Sequence, residues 1–406
     1  MAWKTFRLKN LVSLVVVPAD AGDDLPYVGL EAIEPWTGKI DLGVKDTDEQ
    51  TSVGNRFLPG DVLFGKLRPY LAKVAAPDFS GQCTGEALVL RPKSGVDTRF
   101  IRYRLVEAGI IDSVNASTFG AKMPRASWQF MGNLRFPVPE FNTQQLIADF
   151  LDRETALIDQ LSEKKQRFIQ MTADGLAATI DLTLSPSNVP KAELVPFKWI
   201  CRVAEGQVDP TDPRWADKPL IAPNHIESGT GRLLGIESAA EQGAISGKYA
   251  YSAGTVLYSK IRPALAKACI APDAGMCSAD MYPIIPSREL RPEFLLMQLL
   301  SRKFTTWATL ESMRVAMPKI NRSTLGDYRL WVPSLQMQDE MLSAHQRQKK
   351  HSEAMIDKQK ESLSRLSEFR SALITAAVTG QIDVTTWGKQ GQTARLLDKI
   401  QEEMGA

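Results

Sequence analysis

Apolar residues follow two rhythms along this chain, and each rhythm is used twice. Over residues 1–140 they form short runs, Leu11–Val17, Tyr27–Leu30, Val62–Phe64 and Ala87–Leu90, broken by Gly, Pro and Asp. That punctuation predicts short strands joined by turns. Residues 98–111 place Phe100, Ile101, Leu105 and Ile110 near one face and predict a helix. From Thr143 the rhythm changes. Phe150, Leu157, Leu161, Phe168 and Met171 recur at spacings of three, four and seven, the seam of a long helix that runs to about Ile180. Thr143 can cap its start, and Ser185–Pro190 reads as a linker. Residues 195–333 return to the first rhythm, with the equivalent helix over 292–304. A second long helix, roughly 336–379, carries Ile356, Leu363, Leu366, Leu373 and Ala377 on its seam, and Gly380 is its stop signal.

The order is therefore globule, helix, globule, helix. The expected boundaries are 1–140 for the first globule, 141–184 for the first helix and 185–194 for a linker. The second globule follows at 195–333, the second helix at 334–380 and a tail at 381–406, whose stretch Ala394–Met404 is amphipathic. The expected fold class is α+β: two duplicated globules of mixed α/β type, separated by two long helices in an antiparallel coiled coil about a pseudo-two-fold. A helix over 143–180 is ~57 Å long at ~1.5 Å per residue. That corresponds to ~17 base pairs of duplex at ~3.4 Å each.

Duplication is also written in the residues. VLFGKLRPYLAK at 62–73 and VLYSKIRPALAK at 256–267 agree at eight of twelve positions, at a shift of 194. The same shift carries Gly60 onto Gly254, Cys83 onto Cys277, Glu86 onto Asp280, Met123-Pro124-Arg125 onto Met317-Pro318-Lys319, and Pro139 onto Pro333. One residue out of that frame, Ile33-Glu34 and Thr37-Gly38-Lys39 fall on Ile226-Glu227 and Thr230-Gly231-Arg232. A repeat half the chain long marks a duplicated domain and not a solenoid.

Composition adds limits. With 44% hydrophobic and 24% charged residues, 406 residues suffice for sizeable cores. No apolar run approaches ~18 residues, so no membrane span is expected, and the start MAWKTFRLKN has no apolar signal-peptide segment. Four cysteines without a CxxC pair, and three histidines, argue against a zinc site or a disulfide framework; a reducing cytoplasm is the default. A net charge of +2 requires any basic surface to be local.

Two local basic segments recur in each copy. The windows 62–77 and 254–272 contain no acid, and neither do 113–135 and 312–326. Lys and Arg two apart in an extended segment point the same way; Arg can bind guanine bidentately and Lys neutralises phosphate. The candidate DNA contacts are Lys66, Arg68, Lys73, Lys122 and Arg125 in the first copy, and Lys260, Arg262, Lys267, Arg314, Lys319 and Arg322 in the second. Those shared between copies suit phosphates better than bases, because base readers of two half-sites should differ. Taken alone, the motif also suits a folding role with solvated charges. No GxGxxG fingerprint, Walker A loop or Asn/Asp-Pro-Pro-Tyr string occurs. Glu163-Lys164-Lys165 fits a nuclease fragment only in spacing, since it falls inside the long helix. His225, His345 and His351 have no matched partners. No catalytic or metal-binding residue is proposed.

This arrangement resembles the specificity subunit of type I restriction-modification systems over nearly the whole chain. The resemblance rests on the paired KLRP/KIRP and MPR/MPK segments, on Gln144-Gln145-x-Ile147 and Gln336-x-Gln338 opening the long helices, and on Leu366–Ile382, which resembles that family's distal conserved region. The first helix departs from it, ending Gly175-Leu-Ala-Ala-Thr-Ile180 without Val-Thr-Gly. The resemblance implies two target-recognition domains reading a bipartite double-stranded DNA sequence, joined by a helical spacer. It implies a non-catalytic subunit that recruits two methyltransferase subunits, which bind S-adenosylmethionine, and two restriction–translocation subunits, which use ATP and Mg2+. The competing reading is a coiled-coil scaffold that binds only proteins and leaves the paired basic windows unexplained.

Overall fold

The computed structural model describes residues 3–19, 25–43, 54–118, 123–185, 193–312, 318–389 and 391–405. Two units are formed, residues 1–166 with 358–406, and residues 167–357. Each unit thus takes a share of both long helices, Phe141–Thr183 and Leu335–Val378.

The first unit is built on an antiparallel sheet in the order Val12–Val15, Ala87–Pro92, Val62–Gly65, Val74–Ala75. Alternation along the central strand explains its continuous apolar run. Val62 and Phe64 face a core with Leu90, Phe100, Ile101 and Leu105. Leu63 points the other way, into a core with Val28, Ile33, Phe57 and Cys83. That second core lies under a small sheet of Tyr27–Val28, Gly81–Cys83 and Asn55–Phe57. The second unit repeats the plan around Val256–Ser259: Val256 and Tyr258 enter one core and Leu257 the other. Registers match as well. Val62 sits opposite Leu90 and Phe64 opposite Val74, as Val256 sits opposite Ile284 and Tyr258 opposite Ala268.

Several sequence expectations are revised. The helix over 98–111 is two, Thr98–Val106 and Ala108–Ala116; Glu107 between them is extended (ψ 134°) and its carboxylate caps the second by accepting from Gly109 N. Its counterpart over 292–304 likewise divides into Pro292–Leu300 and Arg302–Ser312 at Ser301. The run Leu11–Val17 is a strand only over Val12–Val15, preceded by a helical turn, Leu8–Leu11. The first long helix begins at Phe141, so Thr143 lies inside its first turn and is not the cap.

The seam of that helix is only in part the expected one: Phe150 is buried and Leu161 packs against the first unit's core. Leu157, Phe168 and Met171 are exposed, Met171 to 73%. The buried stripe is Ile147, Phe150, Leu151, Glu154, Thr155, Ile158 and Lys165. In the first unit it packs on Leu366, Leu373, Ile374, Ala377 and Val378 of the second long helix. The direction there is antiparallel, since Asp159 Oδ1 pairs with Arg370 Nε at 2.9 Å while Lys165 meets Gln359. In the second unit Ile180 and Leu184 share a core with Met341 and Leu342. Gly380 stops the second long helix with φ +75°, and Gln381 N donates to Ala376 O. A side chain at 380 would run into the Trp3 ring. Helices Val384–Lys389 and Gln392–Gly405 follow, and Leu397 is buried in the first unit's core. The four cysteines are buried thiols. Among the described residues no helix is long and apolar enough to cross a membrane.

Candidate nucleic-acid interface

The buried strand Val62–Gly65 runs out into Lys66-Leu67-Arg68, and the Met-Pro-Arg segment lies alongside. Lys66 N donates to Glu86 O (2.7 Å), Arg68 N to Pro124 O (2.9 Å) and Ala126 N to Lys66 O (2.9 Å), while Leu67 and Arg125 form an isolated β-bridge. The second unit makes the same four links. Lys260 N donates to Asp280 O, Arg262 N to Pro318 O and Ile320 N to Lys260 O, each at 2.9 Å, and Ile261 bridges Lys319. Two basic segments about 60 residues apart in sequence thus form one ribbon in each unit.

Beyond the ribbon the chain turns sharply. Arg68 is left-handed (φ 51°, ψ 63°), Pro69–Leu71 form a 3-10 turn, and Ala72 is again left-handed (φ 47°, ψ 46°). Arg262, Pro263–Leu265 and Ala266 repeat this, with φ 47° and 45° at the two flanks. Four of the five described non-glycine residues with positive φ belong to these two turns. Left-handed backbone costs a non-glycine residue roughly 1–2 kcal/mol, and a residue before proline ordinarily prefers the extended region. Both arginines are exposed by it.

The remaining predicted contacts separate into classes. Lys73 and Lys267 turn inward: Lys73 Nζ donates to Leu30 O, and Lys267 Nζ to Pro223 O at 2.7 Å. Burial pushes the Lys73 ammonium below its ordinary pKa. Their position differs from the expected DNA-facing one because a half-buried ammonium at the end of the turn finds a backbone carbonyl within reach; both lysines fasten the turn to the neighbouring loop. Lys66 and Lys260 are half-buried. Lys260 Nζ donates to Ala279 O and lies 5.5 Å from the Tyr282 ring centre. Arg125 is held two-pronged by Glu86, with Nε to Oε2 and Nη2 to Oε1 both at 3.0 Å. That guanidinium keeps the Glu86 carboxyl below the ordinary 4.5. Lys319 is exposed. Arg322 opens a short helix, Arg322–Asp327, capped by Asn321, and its Nη1 donates to Glu205 Oε1 at 2.8 Å. Lys122 and Arg314 lie outside the described residues.

Four further residues complete the sites. Glu86 and Asp280 each supply the carbonyl that accepts from the ribbon lysine, and their acid-on-acid match at the 194 shift was the available signal. Tyr249 and Tyr282 lie beneath Arg322 in the second unit. They belong to different strands, and nothing in their spacing marks them as neighbours.

Residues 53–170 match the family model described as the type I restriction modification DNA specificity domain. The chain is 25% identical over 447 aligned positions to the type I restriction enzyme EcoDI specificity subunit of Escherichia coli, covering 100% of this chain and 96% of that one. A chain solved in a study of complex assembly and conformational transition of the type I R-M system shares its fold, with a TM-score of 0.67 at 18% identity, covering 94% of this chain and 98% of that chain. The HsdS subunit from Thermoanaerobacter tengcongensis aligns over 94% and 97% of the two chains with a TM-score of 0.45 at 18% identity.

Proposed function

We propose that this chain, which is similar to the specificity subunits of type I restriction-modification systems, belongs to that family and binds duplex DNA at a bipartite target, one half-site to each globule. The observation that carries this reading is the ribbon made twice by the same four backbone links, with an exposed, left-handed arginine at its end. Strained backbone that recurs in two copies calls for a reason beyond folding. Shared Lys66, Arg68, Lys260 and Arg262 suit phosphate contacts, which position a protein on DNA without reading it. Sequence-dependent contacts then fall to residues that differ between the units.

In this proposal the long helices serve as the spacer between half-sites, and the subunit directs methyltransferase and restriction–translocation subunits to the target in the cytoplasm without catalysing a step itself. S-adenosylmethionine, ATP and Mg2+ belong to those partners. The similarity to that family supports the assignment of partners; the ribbons support the DNA contact.

The test is binding of the full chain to a bipartite duplex, recovered by selection from a random pool, across a salt series. Replacing Lys66 and Arg68, or Lys260 and Arg262, with Ala should weaken binding at an unchanged unfolding midpoint. The slope of log affinity against log salt should flatten by about 1 for each lost phosphate contact. A folded variant with wild-type affinity and slope would remove DNA from these turns. It would leave the protein-only scaffold as the reading.

A further inference from the structure

The two ribbons share their backbone links but not their surroundings. At the 194 shift Tyr282 replaces Leu88, Tyr249 replaces Asn55, and Arg322 replaces Trp128. In the second unit these three meet. The Arg322 guanidinium lies 5.7 Å from the ring centre of Tyr282 and 5.9 Å from that of Tyr249. Tyr282 is buried, and its hydroxyl donates to Ile320 O at 3.1 Å, so its ring is a fixed platform. Lys260 of the shared turn sits over the same ring. Tyr282 thus joins the part common to both units to a part found in only one.

We infer that Arg322 is a specificity-determining residue that reads a guanine in the half-site held by the second unit, with Glu205 as its positioning residue. Residues present in both units cannot distinguish two different half-sites, whereas Arg322 has no counterpart in the first. Of the five N–H donors of a guanidinium, two are engaged: Nη1 with Glu205 Oε1 at 2.8 Å and Nη2 with Ala204 O at 3.4 Å. Three remain for a ligand. A planar fork held against aromatic rings suits the paired N7 and O6 acceptors of guanine in the major groove, which a flexible ammonium does not match. Arg322 is 36% exposed and Glu205 80%, so a groove edge can reach the pair from outside. This inference rests on the DNA-binding reading above.

The experiment is selection of bound duplexes from a randomised pool by the full chain, for wild type, R322K, R322A and E205Q, each with its unfolding midpoint. R322K and R322A should lose preference for guanine at one position of one half-site by roughly 5- to 150-fold, the range of one bidentate arginine–base contact. The other half-site should stay the same. E205Q should weaken preference at that same position by a smaller factor. R322K, which keeps the charge and fold, decides the case should R322A unfold. An unchanged guanine preference in R322K, or a uniform loss of affinity with both half-sites intact, would overturn the inference while leaving DNA binding standing. Failure of the wild type to enrich any duplex would instead overturn the DNA-binding reading, and this inference with it.

Discussion

Lys165 Nζ donates to Gln359 Oε1 at 2.9 Å, and the two residues are 194 positions apart, the shift that lays one copy of the duplication on the other. A residue and its own duplicate therefore face each other in the seam, and they are not the same residue. Lys165 is 8% exposed, and burial pushes its ammonium below the ordinary pKa of 10.5. A buried polar pair within a helical seam fixes register at some cost in stability. Q359L should leave the ammonium without its acceptor and destabilise the protein by about 1–3 kcal/mol. The exchange K165Q/Q359K should recover most of that loss. Thermal unfolding of the three proteins measures both. Equal loss in the exchange variant would mean that the pair acts through its surroundings and not through the hydrogen bond.

Both long helices start on a buried glutamine that serves three backbone groups. Gln144 Oε1 accepts from Asp97 N (2.9 Å), and its Nε2 donates to Gly95 O and Pro139 O. Gln338 accepts from Arg291 N (2.8 Å) and donates to Glu289 O and Pro333 O, both at 2.8 Å. Each fastens the helix to the loop before Thr98–Val106 or Pro292–Leu300. Replacing either with Leu should cost roughly 2–4 kcal/mol, because buried backbone groups lose partners that water cannot replace. Urea unfolding with an unchanged slope and a lower midpoint is the expected result.

Glycine at the left-handed positions separates strain from contact. R68G and R262G remove the steric penalty of the αL backbone and should hold or raise stability, by at most roughly 1 kcal/mol after the added chain entropy of glycine. DNA affinity should nevertheless fall. Calorimetry paired with binding at fixed salt tests this, and a variant that loses stability would show that the arginine side chain serves the fold.

The Glu86–Arg125 pair gives a pH signature. The Glu86 carboxyl lies below its ordinary value of 4.5, chiefly through its hydrogen bonds from Arg125. Its contribution to stability is present above about pH 4.5 and is lost as pH falls through the lower value in the folded protein. The unfolding midpoint of wild type should therefore exceed that of E86Q near neutrality, and the two should converge on acidification. Parallel curves from pH 7 to the acid limb would mean that solvent screens the pair fully.

Much of this protein is legible in one dimension. The duplication, the two long helices, the apolar strand Val62–Phe64 and the stop at Gly380 follow from identity, period and backbone permissiveness, all of which are local. Local chemistry also marked the two basic segments in each copy. It could not show that Leu67 and Arg125 form a bridge, since strand partners are chosen by the cores beneath them. Nor could it show that Lys73 and Lys267 turn inward while Arg68 and Arg262 stay out; that depends on where the carbonyls of Leu30 and Pro223 come to rest. The seam is the clearest division. Leu157, Phe168 and Met171 fit a heptad as well as Ile147, Leu151 and Ile158 do, yet only the latter stripe is buried. An apolar stripe specifies that a helix will pack, while the partner surface decides which stripe is covered, and with it the burial of Glu154, Thr155 and Lys165.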